Sequence, residues 1–269
     1  LLVGAGGGGT TRAVARALAG AGALRGVFVG GPDAGGVAGL RAEFPGVPVH
    51  SGPWDLDAAE ARAALSGALG APGQGGGGRS GPSALVSLLQ CPAKGRRTLG
   101  RAEYSARAAG DAVWARALAE HLLEGGSATA GRLLQVSAIG VGESEEALPG
   151  PAKDAMRGEM AARARAEEAA GACGVPQTVV RVGVLGDDDF RWTTSGGPLL
   201  TRSPTAYGEV SAESLGKAVV ACLGWASGGG EVVSVLNRDR VLQVDPFVRP
   251  LESWESLPFS VVSSEEVAL

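Results

Sequence analysis

Cysteine and histidine are scarce in this chain, and their spacing excludes several kinds of site. The three cysteines, Cys91, Cys173 and Cys222, are far apart and form no CxxC pair, which argues against a disulfide framework and a zinc site. The two histidines, His50 and His121, are too few for a histidine metal cluster and leave few candidates for a Ser-His-Asp triad. We therefore predict no metal site and interpret the cysteines as small buried apolar residues.

Basic blocks and long hydrophobic runs are also missing. The 24 Lys and Arg residues against 28 Asp and Glu give a net charge of −4, spread along the chain, so we expect no nucleic-acid partner. Gly, Arg or Glu interrupts every apolar stretch before the roughly 20 residues that span a bilayer. We expect a soluble protein without a transmembrane segment. The lack of paired cysteines fits a reducing compartment, and the start at Leu1, inside a strand-like run, would suit an imported plastid or mitochondrial protein.

What the chain does have is a regular alternation of strand-like and helix-like segments. Short apolar runs alternate with Ala-rich helical stretches, which is typical of βαβ units and a parallel sheet covered on both faces. The predicted strands are residues 1–3, 26–29, 47–50, 84–89, 133–137, 178–184 and 231–236. The predicted helices are residues 11–19, 37–43, 56–69, 102–123, 152–172 and 211–223. The fold class is therefore α/β, a doubly wound parallel sheet of the Rossmann type with a small C-terminal extension.

Two segments of unusual composition set the limits of this domain. Residues 70–82 (GAPGQGGGGRSGP) are of low complexity and predict a flexible surface insertion. Residues 244–269 contain three prolines and predict an extended tail that wraps over this chain or over a protein partner. We expect one dinucleotide-binding domain over residues 1–243.

Glycines fill the connection between the first predicted strand and the first helix. Gly4, Gly6 and Gly9 form a GxGxxG motif between a strand and an amphipathic helix, the context that a dinucleotide turn requires. The first glycine permits the tight turn, the second lets the backbone approach a pyrophosphate, and the third brings helix and strand together. The helix N-terminus offers free N–H groups to the anion. We predict NADP or NAD here, bound by Gly4, Gly6, Gly7, Gly9, Thr10 and Thr11.

Two alternatives compete for this turn. Gly4 and Gly9 also have the spacing of the triphosphate loop GxxxxGK[ST], and Thr11 matches its hydroxyl residue, but Thr10 occupies the lysine position. Without that ammonium group an ATPase or kinase lacks its main electrostatic element. A merely flexible glycine run is the other alternative in a chain with 45 glycines. We favour the dinucleotide site because a strand and a helix lie where it needs them.

The N-terminal turn resembles the pattern GATGxxG, with Gly6 in place of Thr and Thr10 in place of the last Gly. That pattern belongs to the atypical short-chain dehydrogenase/reductase family, the NAD(P)-binding group that includes NmrA-like proteins. Three later segments resemble the family's fifth strand, its "AEe-SG-TivRPg-L" block and the segment after its sixth strand: residues 133–141, 166–185 and 207–223. The resemblance covers about residues 1–236 and implies a Rossmann fold with an NAD(P) cofactor.

The choice between NADP and NAD stays open. After the second strand the family commonly has an Arg that meets the 2′-phosphate of NADP, whereas this chain has Gly30, Gly31, Pro32 and Asp33. Asp33 lies roughly where an NAD-preferring domain keeps an acid for the ribose hydroxyls, and a turn residue after Pro is the equal alternative. The other predicted cofactor contacts lie near the ends of the third, fourth and sixth strands: Asp55, Leu56, Ser87, Val182 and Gly183.

The catalytic dyad of typical reductases of this superfamily is missing. That dyad is YxxxK, in which the lysine lowers the pKa of the tyrosine, and neither Tyr104 nor Tyr207 has a lysine four residues later. The matching positions hold Glu159 and Arg163, and a guanidinium cannot lose its proton. Ser137 ends the fifth strand, where the superfamily has its substrate-polarising serine. We interpret it as a weak catalytic candidate and a cofactor contact, with a bond to the local backbone as the alternative.

Two basic residues receive structural interpretations. Arg181, at the end of the sixth strand, lies where the family has an Arg that we expect to anchor the sheet end by ion pairing. Lys153 follows Pro149 and Pro151 and is expected to be a solvated residue in the first turn of its helix.

Two functions fit these observations. The first is an NAD(P)-binding protein with uncertain or lost catalytic activity, serving as an accessory subunit or assembly factor, which explains the missing dyad and the tail. The alternative is an active NAD(P)-dependent oxidoreductase of a small carbonyl or quinone-like substrate. We favour the first slightly, because the second needs proton delivery from Ser137, water or the substrate.

Overall fold

A mostly parallel β-sheet with helices on both faces forms the centre of the protein. The computed structural model describes residues 2–5, 8–30, 34–52, 57–69, 84–88, 101–124, 131–185, 197–224, 230–237 and 240–242. Its strands are β1 (Leu2–Ala5), β2 (Val27–Gly30), β3 (Val49–Gly52), β4 (Ala84–Ser87), β5 (Arg132–Ala138), β6 (Gln177–Val182), β7 (Val184–Leu185), β8 (Pro198–Thr201), β9 (Tyr207–Val210), β10 (Glu231–Asn237) and β11 (Val241–Leu242). Its helices are α1 (Gly9–Gly20), α2 (Ala34–Glu43), α3 (Ala58–Leu69), α4 (Arg101–Glu124), the short 3-10 helix Gly142–Ala147, α5 (Gly150–Gly171) and α6 (Ala212–Gly224).

The strand order identifies the type of sheet. The order is β3-β2-β1-β4-β5-β6-β10-β8, with all neighbours parallel except β8, which pairs antiparallel with β10. The first six strands have the order of the doubly wound dinucleotide-binding sheet. The order reverses between β1 and β4, and ligands of such sheets bind beyond the carboxyl ends of the strands at that point. The predicted Rossmann fold is confirmed.

Two apolar layers hold the sheet between its helices. Helices α1, α2 and α6 cover one face, where Val14 and Leu215 belong to the core. Helices α3, α4 and α5 cover the other face, where Trp114 of α4 is fully buried and its ring centroid lies 5.0 Å from that of Phe28 in β2. Burying a large apolar side chain contributes about 1.5–3 kcal/mol. Strands buried on both faces explain why the sequence shows continuous apolar runs there.

The predicted sixth strand extends to Val184, but β6 ends at Val182. β7 follows and pairs with β9 in a second sheet of order β11-β9-β7. The cause lies at Gly183, where a Cβ atom would be 2.0 Å from the carbonyl oxygen of Gly208. The chain therefore leaves the main sheet at Gly183, because only a glycine permits this contact with β9.

The other differences from the predicted elements are small. Helix α1 begins at Gly9 rather than Thr11, and α5 begins at Gly150 rather than Ala152. Pro151 lies in the first turn of α5, where a proline is well accommodated. The 3-10 helix and strands β8, β9 and β11 were not predicted. Each is at most six residues long, too short to show a period.

Some predictions fall on other parts of the chain. The glycine-rich insertion over residues 70–82 and the tail over residues 244–269 lie outside the described residues. The domain limit at residue 243 therefore stays a prediction. Among the described helices, none combines the length and the apolar character needed to cross a membrane.

Candidate functional site

The turn between β1 and α1 presents open backbone at the switch point of the sheet. Gly8 is the N-cap residue of α1, with φ −68° and ψ −179°, and it makes no side-chain cap hydrogen bond. The first intrahelical bond here runs from the Arg12 N–H to the Gly8 carbonyl oxygen at 3.1 Å, so the N–H groups of Gly9 and Thr10 have no acceptor within the helix. Such a helix end attracts anions. The predicted contacts Gly6 and Gly7 lie outside the described residues.

Gly4 provides the close approach between strand and helix. A Cβ atom at Gly4 would lie 2.8 Å from Thr11 Oγ1 and 3.0 Å from Thr11 Cγ2, so any other residue would push α1 away from β1. Thr11 is buried at 5% exposure and packs onto the strand. The structure shows this close approach at the first glycine of the motif, and the role expected of the third glycine, Gly9, stays a prediction.

Ser87 lies on the other side of the switch point. It is the last residue of β4, it is opposite Val3 of β1 in the register, and it is buried at 2% exposure. The adjacent Leu88 N–H donates to the Val3 carbonyl oxygen at 2.7 Å. The structure thus places Ser87 beside Val3 of β1. The predicted contacts Asp33, Asp55 and Leu56 lie in segments that the structure does not describe.

Ser137 lies at the carboxyl end of β5 and is completely buried. Its Oγ atom has no hydrogen-bond partner among the described residues, so the alternative of a bond to the local backbone is not observed there. In the register Ser137 is opposite Arg181 of β6, so both side chains project from the same face of neighbouring strands, roughly 4.8 Å apart. A buried hydroxyl without a partner costs about 1–3 kcal/mol, and unpaired groups of this kind occur at functional sites.

Arg181 connects three elements by ion pairs. Its Nη1 donates to Glu143 Oε1 of the 3-10 helix at 2.7 Å, and its Nη2 donates to Glu167 Oε2 of α5 at 2.9 Å. Burial lowers the pKa of Arg181, but the hydrogen bonds and charges of Glu167 and Glu143 outweigh burial and raise it. The expected anchoring role of Arg181 is confirmed. The guanidinium fixes the segment after β5 against α5.

A second ion pair lies one turn away on α5, at the positions of the missing dyad. Arg163 Nη2 donates to Glu159 Oε1 at 2.6 Å, and the two side chains are 7% and 11% exposed. Glu159, Arg163 and Glu167 are four residues apart and share one helix face. Because a crossover helix runs antiparallel to its strands, Glu159 lies nearest the carboxyl edge of the sheet. Arg163 Nη1 is buried without an acceptor among the described residues.

Tyr207, which lacks the YxxxK spacing, nevertheless lies near the end of β5. It lies in β9, is half-buried, and packs against a cluster at the end of β5 that includes Ala138 and Met160. Burial, followed by the charge of Glu209, raises the pKa of Tyr207. The spacing test YxxxK could not find it because β9 belongs to a different sheet from β5, 70 residues later in the chain.

Lys153, expected to be solvated, also forms ion pairs with two glutamates. Its Nζ atom lies 2.7 Å from Glu146 and 3.5 Å from Glu145 of the 3-10 helix. Hydrogen bonding to Glu146 raises the pKa of Lys153. Lys153 therefore ties the first turn of α5 to the segment after β5 by exposed ion pairs.

The end of β6 supplies backbone and one exposed apolar side chain. Val182 is 1% exposed and belongs to the core cluster that also contains residues of α1 and α6. Gly183 contacts Gly208, and a Cβ atom at Gly208 would lie 2.4 Å from the Arg240 carbonyl oxygen. Val184 is 48% exposed. A molecule at this edge would meet the backbone at Gly183 and the side chain of Val184.

Comparisons with known proteins agree with this geometry. A family model described as NAD(P)H-binding matches residues 88–224, just over half of the chain. No curated protein matches the sequence. Among solved structures, ChuY, an anaerobillin reductase from Escherichia coli, is 20% identical with a TM-score of 0.60, covering 93% of this chain and 98% of its own.

Two further structures have the same fold. A putative NAD-dependent epimerase/dehydratase from Bacillus halodurans is 16% identical with a TM-score of 0.60, covering 88% of this chain and 92% of its own. A short-chain dehydrogenase/reductase from Veillonella parvula, solved in complex with NADP, is 13% identical with a TM-score of 0.56, covering 93% of this chain and 95% of its own. At these identities the structures establish the fold, and the family model establishes the cofactor class. The chain belongs to the NAD(P)H-binding family, and it has the Rossmann fold of these reductases.

Proposed function

We propose that this protein is an NAD(P)H-dependent reductase of a small molecule that works without a tyrosine–lysine dyad. The observation that carries the proposal is the Ser137 hydroxyl, which is buried and without a partner among the described residues at the carboxyl end of β5. In sheets of this type a ligand lies beyond the strand ends. A bound molecule is therefore the natural partner of this hydroxyl, and the cofactor, when bound, supplies the hydride.

The residues present fit a dinucleotide on two independent grounds. A Cβ atom at Gly4 would displace α1, and the N-cap residue Gly8 makes no side-chain cap hydrogen bond at the start of α1. The N–H groups of Gly9 and Thr10 would hold the pyrophosphate. Ser87 lies at the switch point, between the phosphate turn and Ser137.

The groups available for proton transfer near Ser137 limit the kinds of substrate that the protein can reduce. Ser137 can donate a hydrogen bond to a substrate oxygen, whereas Arg163 cannot release a proton. The final proton must therefore come from water or from the substrate. This favours acceptors whose reduced form is a stabilised anion, such as quinones and conjugated carbonyl compounds. Anaerobillin, the compound named for ChuY, belongs in the same test panel.

The test has two stages. Calorimetry with NADPH and NADH measures binding, and loss of NAD(P)H absorbance is then followed with aldehydes, ketones, quinones and anaerobillin. We expect binding and oxidation with at least one conjugated acceptor, and we expect Ser137→Ala to lower kcat/KM at least tenfold, in line with the roughly 10²–10³ that a lost oxyanion donor costs elsewhere. Binding without oxidation by any acceptor would overturn the proposal.

The second candidate is a cofactor-binding protein without turnover, acting as an accessory subunit or assembly factor. The buried Glu159–Arg163 pair favours it, because these two residues fill the dyad positions with groups that hold each other. This candidate predicts binding of NADPH or NADH without oxidation. It further predicts that a chain ending at residue 243 keeps its nucleotide affinity but no longer binds the protein partner that the full chain captures.

A further inference from the structure

The backbone of Tyr207 is fixed at the carboxyl edge of the main sheet. Tyr207 is the first residue of β9, and Gly208 follows it. Gly208 lies against Gly183, the residue directly after β6, where a Cβ atom would be 2.0 Å from the Gly208 carbonyl oxygen. In β11, Leu242 is opposite Tyr207 in an antiparallel pair. Two neighbouring stretches of backbone therefore determine the point from which the Tyr207 side chain extends.

The ring of Tyr207 packs against two apolar clusters at the end of β5. One cluster contains Ala138, the last residue of β5, together with Met160 of α5. The other contains the next residue, Ile139, together with Leu236 of β10. Ala138 directly follows Ser137, and consecutive Cα atoms are only about 3.8 Å apart. The half-buried ring of Tyr207 therefore lies close to Ser137, in apolar surroundings that suit the flat ring of a substrate.

Ser137 and Tyr207 lie on the same side of the sheet. Ser137 is opposite Arg181 in the register of β5 and β6, and Arg181 donates to Glu167 of α5. The cluster that Tyr207 contacts includes Met160 of the same helix. Both side chains are therefore on the face of the sheet that α5 covers, next to the carboxyl edge, where a ligand of such a sheet lies. One small molecule at this edge can contact both.

The hydroxyl of Tyr207 is available to a ligand as a hydrogen-bond donor. Among the described residues, none forms a hydrogen bond with it, although the ring is half-buried. Burial, followed by the charge of Glu209, raises the pKa of Tyr207 above the usual 10.0, so the phenol keeps its proton at neutral pH. Such a phenol acts as a hydrogen-bond donor and not as a source of protons.

We propose that the Tyr207 hydroxyl donates a hydrogen bond to a second oxygen of the substrate and thereby makes the protein select quinones. Ser137 holds one oxygen of the acceptor in the proposed function, and a quinone carries two oxygens on one flat conjugated ring. Reduction of a quinone to its hydroquinone takes up one hydride, which the bound cofactor supplies, and one proton, which water supplies. Hydride transfer leaves negative charge on oxygen, which a second donor stabilises. The inference rests on the proposed function and narrows its substrate class.

The experiment compares the wild-type chain with Tyr207→Phe, which removes the hydroxyl and keeps the ring. With the more tightly bound nucleotide as the reductant, kcat and KM are measured for menadione, a quinone with two oxygens, and for benzylideneacetone, a conjugated ketone with one. We expect a preference for menadione. We expect Tyr207→Phe to lower the ratio of the menadione kcat/KM to the benzylideneacetone kcat/KM roughly threefold to tenfold, the effect of one lost hydrogen bond.

A binding measurement and a control variant accompany the kinetics. Calorimetric titration of menadione into the full chain saturated with the oxidised nucleotide requires no turnover, and Tyr207→Phe should weaken this binding by a similar factor. Phe44→Leu is the matched control, because it removes a ring from the apolar core at the end of α2, where Phe44 is 9% exposed. It should leave the ratio of the two kcat/KM values unchanged. A thermal unfolding curve for each variant shows whether it is folded.

The outcomes separate this inference from the proposed function. If the wild-type chain reduces no acceptor at all, the proposed function fails and this inference fails with it. If it reduces other acceptors but not menadione, or if Tyr207→Phe leaves the ratio and the menadione binding unchanged, this inference alone fails. If menadione is reduced and benzylideneacetone is not, Tyr207→Phe should lower the menadione kcat/KM by the same factor while nucleotide affinity changes less than twofold. An equal loss with both acceptors would assign Tyr207 a structural role and overturn the inference.

Discussion

The two halves of the sheet are built by different means. The phosphate half, formed by β1, β2, α1 and α2, relies on glycines and open backbone, such as Gly4 beneath Thr11 and the uncapped start of α1. The reaction half, formed by β5, β6, the 3-10 helix and α5, relies on buried charged side chains, above all Arg163 and Arg181. The family match over residues 88–224 contains the reaction half and not the phosphate half. The dyad positions, Glu159 and Arg163, therefore lie in a different half of the sheet from the phosphate turn.

The largest expected effect tests whether charge holds the reaction half together. Arg181→Ala leaves Glu167 buried without its partner and should lower the free energy of unfolding by about 3–5 kcal/mol. Arg202→Ala is the control, because its pair with Glu231 involves an Arg side chain that is 58% exposed and is worth about 1 kcal/mol or less. Urea unfolding measures both. Equal losses in the two variants would show that buried charge does not distinguish this half.

The next effect tests whether the stability and nucleotide affinity of the phosphate half depend on the close approach of α1 to β1 at Gly4. Gly4→Ala places a Cβ atom 2.8 Å from Thr11 Oγ1 and should cost about 1–3 kcal/mol of stability through overpacking, together with most of the nucleotide affinity. Gly8→Ala is the control for stability, because its added Cβ atom meets nothing within 4 Å. Unfolding curves and calorimetry measure the two quantities. A Gly4→Ala variant as stable as Gly8→Ala would contradict the close approach of α1 to β1.

Ser137→Ala should raise the stability of the protein and lower its function. Removing a buried hydroxyl without a partner should raise the free energy of unfolding by up to about 1 kcal/mol, while binding or turnover falls. Such a trade-off is typical of functional positions. Ser66→Ala, at a partly exposed position on α3, provides a comparison. A loss of stability in Ser137→Ala would show that Ser137 has a structural partner in the free protein.

The smallest effect is a pH dependence confined to the reaction half. Burial raises the pKa of Glu143, but its backbone hydrogen bond and the hydrogen bond from Arg181 outweigh burial and lower it below the usual 4.5. A lowered folded-state pKa stabilises the protein above the unfolded value, and this stability is lost as pH falls below about 4.5 through the folded pKa. Because Glu143 is 60% exposed, the effect should be under about 1 kcal/mol. Glu143→Gln should flatten this part of the curve of stability against pH, and an unchanged curve would assign the acid sensitivity to other groups.

The sequence predicts the phosphate half better than the reaction half for a physical reason. A tight turn followed by a helix is local, so Gly4 and the start of α1 leave a readable pattern within a few residues. The partners of Arg181 are 38 and 14 residues away, and only strand register and the crossover of α5 bring them together. Tyr207 is harder still, because its position depends on β9, which forms a separate sheet. The family block at residues 166–185 contains both Glu167 and Arg181 but does not show that they touch.

The contact of Gly183 with Gly208, and of Gly208 with the backbone at Arg240, has a consequence for how this protein can change. Main-chain atoms of three separate stretches are stacked there without room for a methyl group, so this layer of backbone cannot be reshaped by side-chain substitution. Diversification of the chemistry accepted at this edge must then arise at Val184, whose side chain points outward from the same stretch and can be exchanged without moving the layers beneath it.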